Sequence, residues 1–76
     1  MERIKDLLEE LEERYGKRKV IEAMKRTQKE IAKFGIALKH EDATVEFLLN
    51  AQHLIKKYGA IGEKFVYYCL LAQFVR

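Results

Sequence analysis

Few side chains in this sequence could act as a nucleophile, a base or a metal ligand. There is one cysteine, Cys69, and there are two histidines, His40 and His53, which lie too far apart to form a ligand pair on one helical turn. On a helix, the neighbours of Cys69 at three and four residues are Phe65, Val66, Ala72 and Gln73. None of them is a base or a cation that would activate a thiol. We therefore expect Cys69 to be a structural residue.

Three polar residues of the third helical segment could form a metal-binding face. Asp42, Glu46 and His53 share one side, and carboxylates with histidine bind metals in helical bundles if another helix adds ligands. Their spacing differs from the Glu-x-x-His of di-iron bundles, and Lys56 and Lys57 lie close by. We expect a solvated polar face and no metal.

The sequence also offers no residues suited to acid–base catalysis or to phosphate binding by a glycine-rich loop. Tyr67 and Tyr68 lie in an apolar run, which favours packing or interface roles over acid catalysis. The four glycines form no phosphate-binding loop. The sequence therefore predicts a protein that is not an enzyme, with no catalytic residues, no cofactor and no small-molecule substrate.

Length and composition set the class of protein. The chain has 76 residues, which predicts a single domain, 1–76, and its 49% apolar and 36% charged residues are typical of a globular rather than a disordered chain. The sequence has a single cysteine, so an internal disulfide is excluded. It contains no run of 18 apolar residues, so we expect no membrane-spanning helix. The N-terminus lacks an apolar signal core, so we expect a cytoplasmic protein. Charged residues replace uncharged polar ones, which is typical of thermostable proteins from hyperthermophiles and of designed helical proteins.

Glycine and apolar spacing divide the chain into helices. Tyr15-Gly16, Phe34-Gly35 and Tyr58-Gly59 each place a glycine after a periodic apolar run, the usual helix stop. No stretch alternates with the period of a strand. The sequence predicts an all-α, compact bundle of four short helices at about 2–15, 17–34, 42–58 and 60–75.

The fourth helix is apolar on every side. Residues 65–75 contain one polar residue, Gln73, and a chain this short cannot surround a whole helix. We expect this helix to be central or at an oligomer interface. With Ile61, Phe65 and Ala72 facing inward, the exposed interface would consist of Val66, Tyr67, Leu70 and Phe74, and the protein would be a homodimer.

The second helix carries the strongest charge pattern. Residues 17–39 have a net charge of +6. Five exposed cations would form a basic face able to follow a phosphate backbone: Arg18, Lys25, Arg26, Lys29 and Lys33. No aromatic side chain lies among them, so stacking on bases is not indicated.

Part of this region resembles the helix-turn-helix of transcription regulators. The likeness rests on Thr27-Gln28, Ile31-Ala32, Gly35-Ile36 and Thr44-Val45. The interval from Ala32 to Gly35 is one residue shorter than in that family, and the interval from Gly35 to Thr44 is several residues longer. Loss of one residue rotates a helix face by about 100°, so the register of the motif is not kept. The resemblance implies DNA binding, but no residue role is carried over from it.

These patterns favour a helical protein–protein interaction or assembly module that self-associates through its C-terminal helix. One alternative is a small DNA- or RNA-binding protein that uses the basic face of the second helix. Another is a designed helical scaffold without a natural partner.

Overall fold

Four α-helices form in the order that apolar spacing predicts. In a computed structural model that describes residues 2–34 and 37–75, α1 spans Glu2–Tyr15, α2 Lys17–Ile31, α3 Ala43–Tyr58 and α4 Ala60–Ala72. A short 3-10 helix, Ala32–Phe34, continues α2. The predicted all-α bundle of four helices is confirmed, and no described residue lies in a β-strand.

Single glycines make two of the corners between helices. Gly16 joins α1 to α2 with φ +88°, and Gly59 joins α3 to α4 with φ +67°, backbone conformations that favour glycine. Each closes the preceding helix, since the Gly16 amide donates to the Glu12 carbonyl at 3.0 Å and the Gly59 amide to the Ile55 carbonyl at 2.7 Å. The predicted stop at Gly35 lies outside the described residues.

A buried asparagine holds the segment that leads into α3. Asn50 is only 3% exposed, and its side chain both accepts from the Leu38 amide at 2.9 Å and donates to the Leu38 carbonyl at 2.8 Å. The same amide group donates to the Glu46 carbonyl at 2.8 Å. Asp42 then caps α3, because its carboxylate accepts from the Thr44 amide at 2.9 Å and from the Val45 amide at 3.2 Å. Residues 37–42 therefore have a fixed path into α3.

The connection from α2 to α3 is longer than that of a helix-turn-helix. Residues 32–42 separate α2 from α3, whereas the DNA-binding motif joins its two helices by a turn of roughly three or four residues. The spacing that departs from the family pattern in the sequence thus corresponds to a longer connection in the structure.

The core lies where the four helices meet, and α2 packs against the other three. The buried apolar residues are Ile4, Leu7, Leu8 and Leu11 of α1, Val20, Ala23, Met24 and Ile31 of α2, Phe47, Ala51 and Leu54 of α3, and Val66 and Leu70 of α4. The apolar residues of α1 recur at helical spacing in the sequence, as Ile4, Leu7, Leu8, Leu11 and Tyr15, and all are buried except Tyr15, which is 39% exposed. Burial of these side chains is the main force that holds the helices together.

Candidate interaction surfaces

The inner face of α4 consists of Gly62, Val66 and Leu70. All three are buried, and a Cβ on Gly62 would lie 2.6 Å from the carbonyl oxygen of Leu54. The glycine thus lets α3 and α4 approach closely. The prediction that Val66 and Leu70 form an exposed oligomer interface is wrong, because both are 0% exposed in the core of a single chain.

The other two residues predicted for that interface pack on α1. The Arg3 guanidinium lies over the Tyr67 ring, 4.7 Å from its centre, and Tyr67 meets Tyr68 edge to face at 5.4 Å. Phe74 stacks on Tyr15 with ring centres 4.6 Å apart. Tyr67 and Phe74 are half-buried, so they join the two terminal helices and leave no open apolar patch at these positions.

Helix α4 is therefore rotated relative to the sequence prediction. Ile61, expected to face inward, is 77% exposed, and Ala72 is exposed as well. A helix that is apolar on all sides has no hydrophobic direction, so hydropathy alone leaves its rotation open. The available signal was Gly62, whose missing side chain marks the face that meets another backbone.

An apolar stripe runs along the outside of α4. We call it the outer stripe; it consists of Ile61, Phe65, Tyr68, Ala72 and Val75. The four residues within α4 are spaced by four, three and four positions, as in a seam between two packed helices, and Val75 follows three residues after Ala72. Tyr68 and Val75 are 57% and 70% exposed, and Phe65 is half-buried. Val75 follows the helix after a turn in which the Gln73 and Phe74 amides donate to carbonyls three residues back.

An apolar pocket opens at the N-terminal end of this stripe. It has a volume of about 250 Å³ and is lined by Phe34, Leu54, Tyr58, Ile61, Gly62 and Phe65. Phe34 and Phe65 meet edge to face at 5.0 Å, and the Tyr58 hydroxyl donates to the Phe34 carbonyl at 3.4 Å. These contacts hold the 3-10 helix beside the junction of α3 and α4.

All five cations of the predicted basic face are exposed, but two have acidic partners. The Arg26 guanidinium lies 3.9 Å from the Glu22 carboxylate, and the Lys33 ammonium lies 3.6 Å from the Glu30 carboxylate. Arg18 is exposed near the start of α2. Partial neutralisation weakens this face as a continuous track for phosphates.

Lys25 and Lys29 instead lie at a cleft between α2 and the segment before α3. This lysine cleft has a volume of about 430 Å³, and Lys39 and His40 contribute to it from the opposite side. Glu41 and Glu46 also line it, and the Glu46 carboxylate accepts from the His40 amide at 3.1 Å. The sequence does not predict Lys39 as part of this surface. Its position depends on the hydrogen bonds between Asn50 and the neighbouring Leu38, which are distant in the sequence.

Asp42 and Glu46, considered above as metal ligands, make local hydrogen bonds, and the Cys69 thiol is half-buried. Asp42 caps α3 and its amide donates to Nδ1 of His40 at 2.9 Å, while the Glu46 carboxylate accepts from the His40 amide, which lies in residues 37–42, here called the linker. Burial, and secondarily the charge of Glu30, raises the pKa of the Cys69 thiol, which disfavours the reactive thiolate. Among the described residues, no group of three or more acidic, histidine or cysteine side chains could hold a metal ion.

Comparison of the chain with protein-family models, curated proteins and solved structures finds no match. Within residues 2–34 and 37–75, no helix has the length and apolar character needed to cross a membrane.

Proposed function

We propose that this protein is a non-enzymatic helical assembly module that self-associates through the outer stripe of α4. The observation that carries this proposal is the exposure of the stripe, where Ile61, Tyr68 and Val75 keep 77%, 57% and 70% of their surfaces open to solvent. Apolar side chains at the spacing of a helix–helix seam favour a second helix as their cover.

The exposed area supports a weak dimer. The three open side chains amount to about two whole apolar side chains on each copy, and burying them on both copies contributes roughly 6–12 kcal/mol. Association costs roughly 4–15 kcal/mol, because the two molecules lose translational and rotational freedom. Phe34 and Tyr58, 50% and 46% exposed beside the apolar pocket, add to the favourable side. We expect a dissociation constant in the micromolar range or weaker.

Light scattering and sedimentation equilibrium between about 1 µM and 1 mM test the proposal. The mass should rise with concentration from one chain toward two. Changing Ile61 and Tyr68 together to glutamate should keep the protein monomeric and folded, because both side chains are exposed. By contrast, Leu70→Glu should unfold it, because Leu70 belongs to the core.

Val45→Glu is the matched control, since Val45 is an exposed apolar residue on a different helix, α3. This variant should dimerise like the unmodified chain. A mass of one chain at about 1 mM, or an unchanged dimer in the Ile61/Tyr68 variant, contradicts self-association through the outer stripe.

Binding of nucleic-acid phosphates is a second candidate function. The observation that favours it is the lysine cleft, where Lys25 and Lys29 of α2 and Lys39 of the linker line one concave surface. Cations from two chain segments can hold a phosphate group between them. Glu41 and Glu46 in the same cleft oppose it, so this candidate has less support than assembly.

Retention on mixed-sequence DNA at low salt tests this second function. Affinity should fall steeply with salt and should be lost when Lys25, Lys29 and Lys39 are changed to glutamate. Changing Lys5, Lys56 and Lys57 to glutamate alters the net charge equally but lies outside the cleft, so retention should decrease only partly. Equal losses in the two triple variants would assign any binding to net charge alone.

A further inference from the structure

The outer stripe and the apolar pocket adjoin each other, since Ile61 and Phe65 belong to both. We propose that two copies of the chain pair with antiparallel α4 helices centred on Tyr68, and that Val75 of each copy enters the apolar pocket of the other. This inference rests on the proposed function and specifies the partner and the register of the same surface.

The sizes of the stripe residues favour the antiparallel register. With Tyr68 facing Tyr68 of the second copy, Ile61 faces Val75, and Phe65 faces Ala72. Ile61 and Phe65 then each meet a smaller side chain, so the two stripes interdigitate on both sides of the Tyr68 pair. A parallel pair would place Phe65 against Phe65 and Ala72 against Ala72, which crowds one layer and leaves a void in another.

The pocket fits a side chain of the second copy. Its volume of about 250 Å³ is below the roughly 300–1,000 Å³ of small-molecule sites, and its lining is aliphatic and aromatic. In the antiparallel register, the residue brought to this end of the stripe is Val75, which is 70% exposed in the single chain. Val75 is thus an exposed apolar residue, and the lining of the pocket matches it in chemistry.

Charge complementarity points to the same arrangement. Lys64, an exposed residue in the N-terminal half of α4, flanks the outer stripe. An antiparallel partner brings the C-terminal end of its α4 to this point, and helix C-termini carry partial negative charge that attracts lysine. A parallel partner would bring Lys64 close to Lys64 of the second copy.

Disulfide trapping tests the register. In a Cys69→Ala background, one preparation carries Ile61→Cys and a second, of different mass through an affinity tag, carries Val75→Cys. Oxidation of the mixture with copper phenanthroline should give predominantly the Ile61→Cys/Val75→Cys heterodimer, because these positions face each other across the seam. Each preparation oxidised alone should give little cross-linked product, and Tyr68→Cys alone should cross-link to itself.

A dimer in light scattering that traps Ile61→Cys with itself overturns the antiparallel register while leaving self-association intact. A single-chain mass at about 1 mM overturns both, because there is then no second copy to orient. The two failures are therefore distinguishable.

The placement of Val75 has its own measurement. Val75→Ala removes two carbon atoms from an exposed residue, so it should leave the fold unchanged and weaken dimerisation roughly tenfold or more. Val45→Ala makes the same change on α3 and should leave the dimer unaffected. An unchanged dissociation constant for Val75→Ala overturns its burial in the pocket.

Discussion

The backbone of Gly62 lies against the carbonyl group of Leu54, so closely that a Cβ on the glycine would be 2.6 Å from the carbonyl oxygen and 3.0 Å from its carbon. The obstacle is main chain, which cannot rotate aside as a flexible side chain can. This contact sets the distance between α3 and α4, and it also turns the inner face of α4 toward the core.

Gly62→Ala should therefore destabilise the protein although alanine is the better helix former. Alanine gains about 1 kcal/mol of intrinsic helix propensity, and we expect overpacking to outweigh it with a net loss of about 1–3 kcal/mol. Urea unfolding followed by circular dichroism measures the change. An increase in stability would show that the two helices separate without penalty.

Thr27 is fully buried, and its hydroxyl has no hydrogen-bond partner among the described residues. Thr27→Val keeps the shape and removes the unpaired polar atom, so we expect the free energy of unfolding to rise by about 1 kcal/mol. Thr27→Ser, which keeps the hydroxyl and loses the methyl group, should lower it. Lower stability of the valine variant would indicate that the hydroxyl is satisfied in solution.

Asn50 connects α3 to the linker through both atoms of its amide group. Asn50→Ala should cost about 1–3 kcal/mol and should increase hydrogen exchange at the Leu38 amide, which loses its acceptor. Gln52→Ala, at an exposed position two residues further along α3, is the control and should change neither quantity appreciably. Unaltered exchange at Leu38 in the Asn50 variant would mean that the linker is held by other contacts.

The raised pKa of Cys69 has a defined consequence for pH. Its alkylation by iodoacetamide should show a midpoint above pH 9.0, the ordinary value for this thiol. Since the folded state holds the proton more tightly, this stabilising contribution is complete below pH 9.0 and is lost as the pH rises through the raised pKa. Cys69→Ala should lack that part of the pH dependence. Glu30→Gln should lower the alkylation midpoint, and a midpoint below pH 9.0 in the unmodified protein would contradict the burial argument.

Local signals were sufficient to predict the helices from the sequence. The spacing of Ile4, Leu7, Leu8 and Leu11 matches the buried face of α1, and Gly16 and Gly59 end helices where their backbone conformation requires glycine. Exposure of the cations on α2 also follows from local amphipathicity. Such features depend on residues within a few positions of one another, which is why periodicity detects them.

Long-range packing limited the prediction of the surfaces. The rotation of α4 depends on the contact between Gly62 and Leu54, which apolar spacing within α4 cannot report. Lys39 reaches the lysine cleft only because Asn50 holds the linker at Leu38. The sequence prediction therefore places Val66 and Leu70 on the wrong side of α4, whereas α4 does present an apolar face to solvent as the outer stripe.

Helix α1 joins the rest of the chain by one residue, Gly16, and it meets α4 through Tyr15 and Arg3. Its contacts with Tyr67 and Phe74 link residues about sixty positions apart, whereas a single glycine joins α1 to α2 and another joins α3 to α4. Contacts between residues so far apart in the sequence form slowly, because closing a long loop has a high entropic cost. We expect the α1–α2 and α3–α4 hairpins to form first during folding and the contacts of Arg3 with Tyr67 and of Tyr15 with Phe74 to form last.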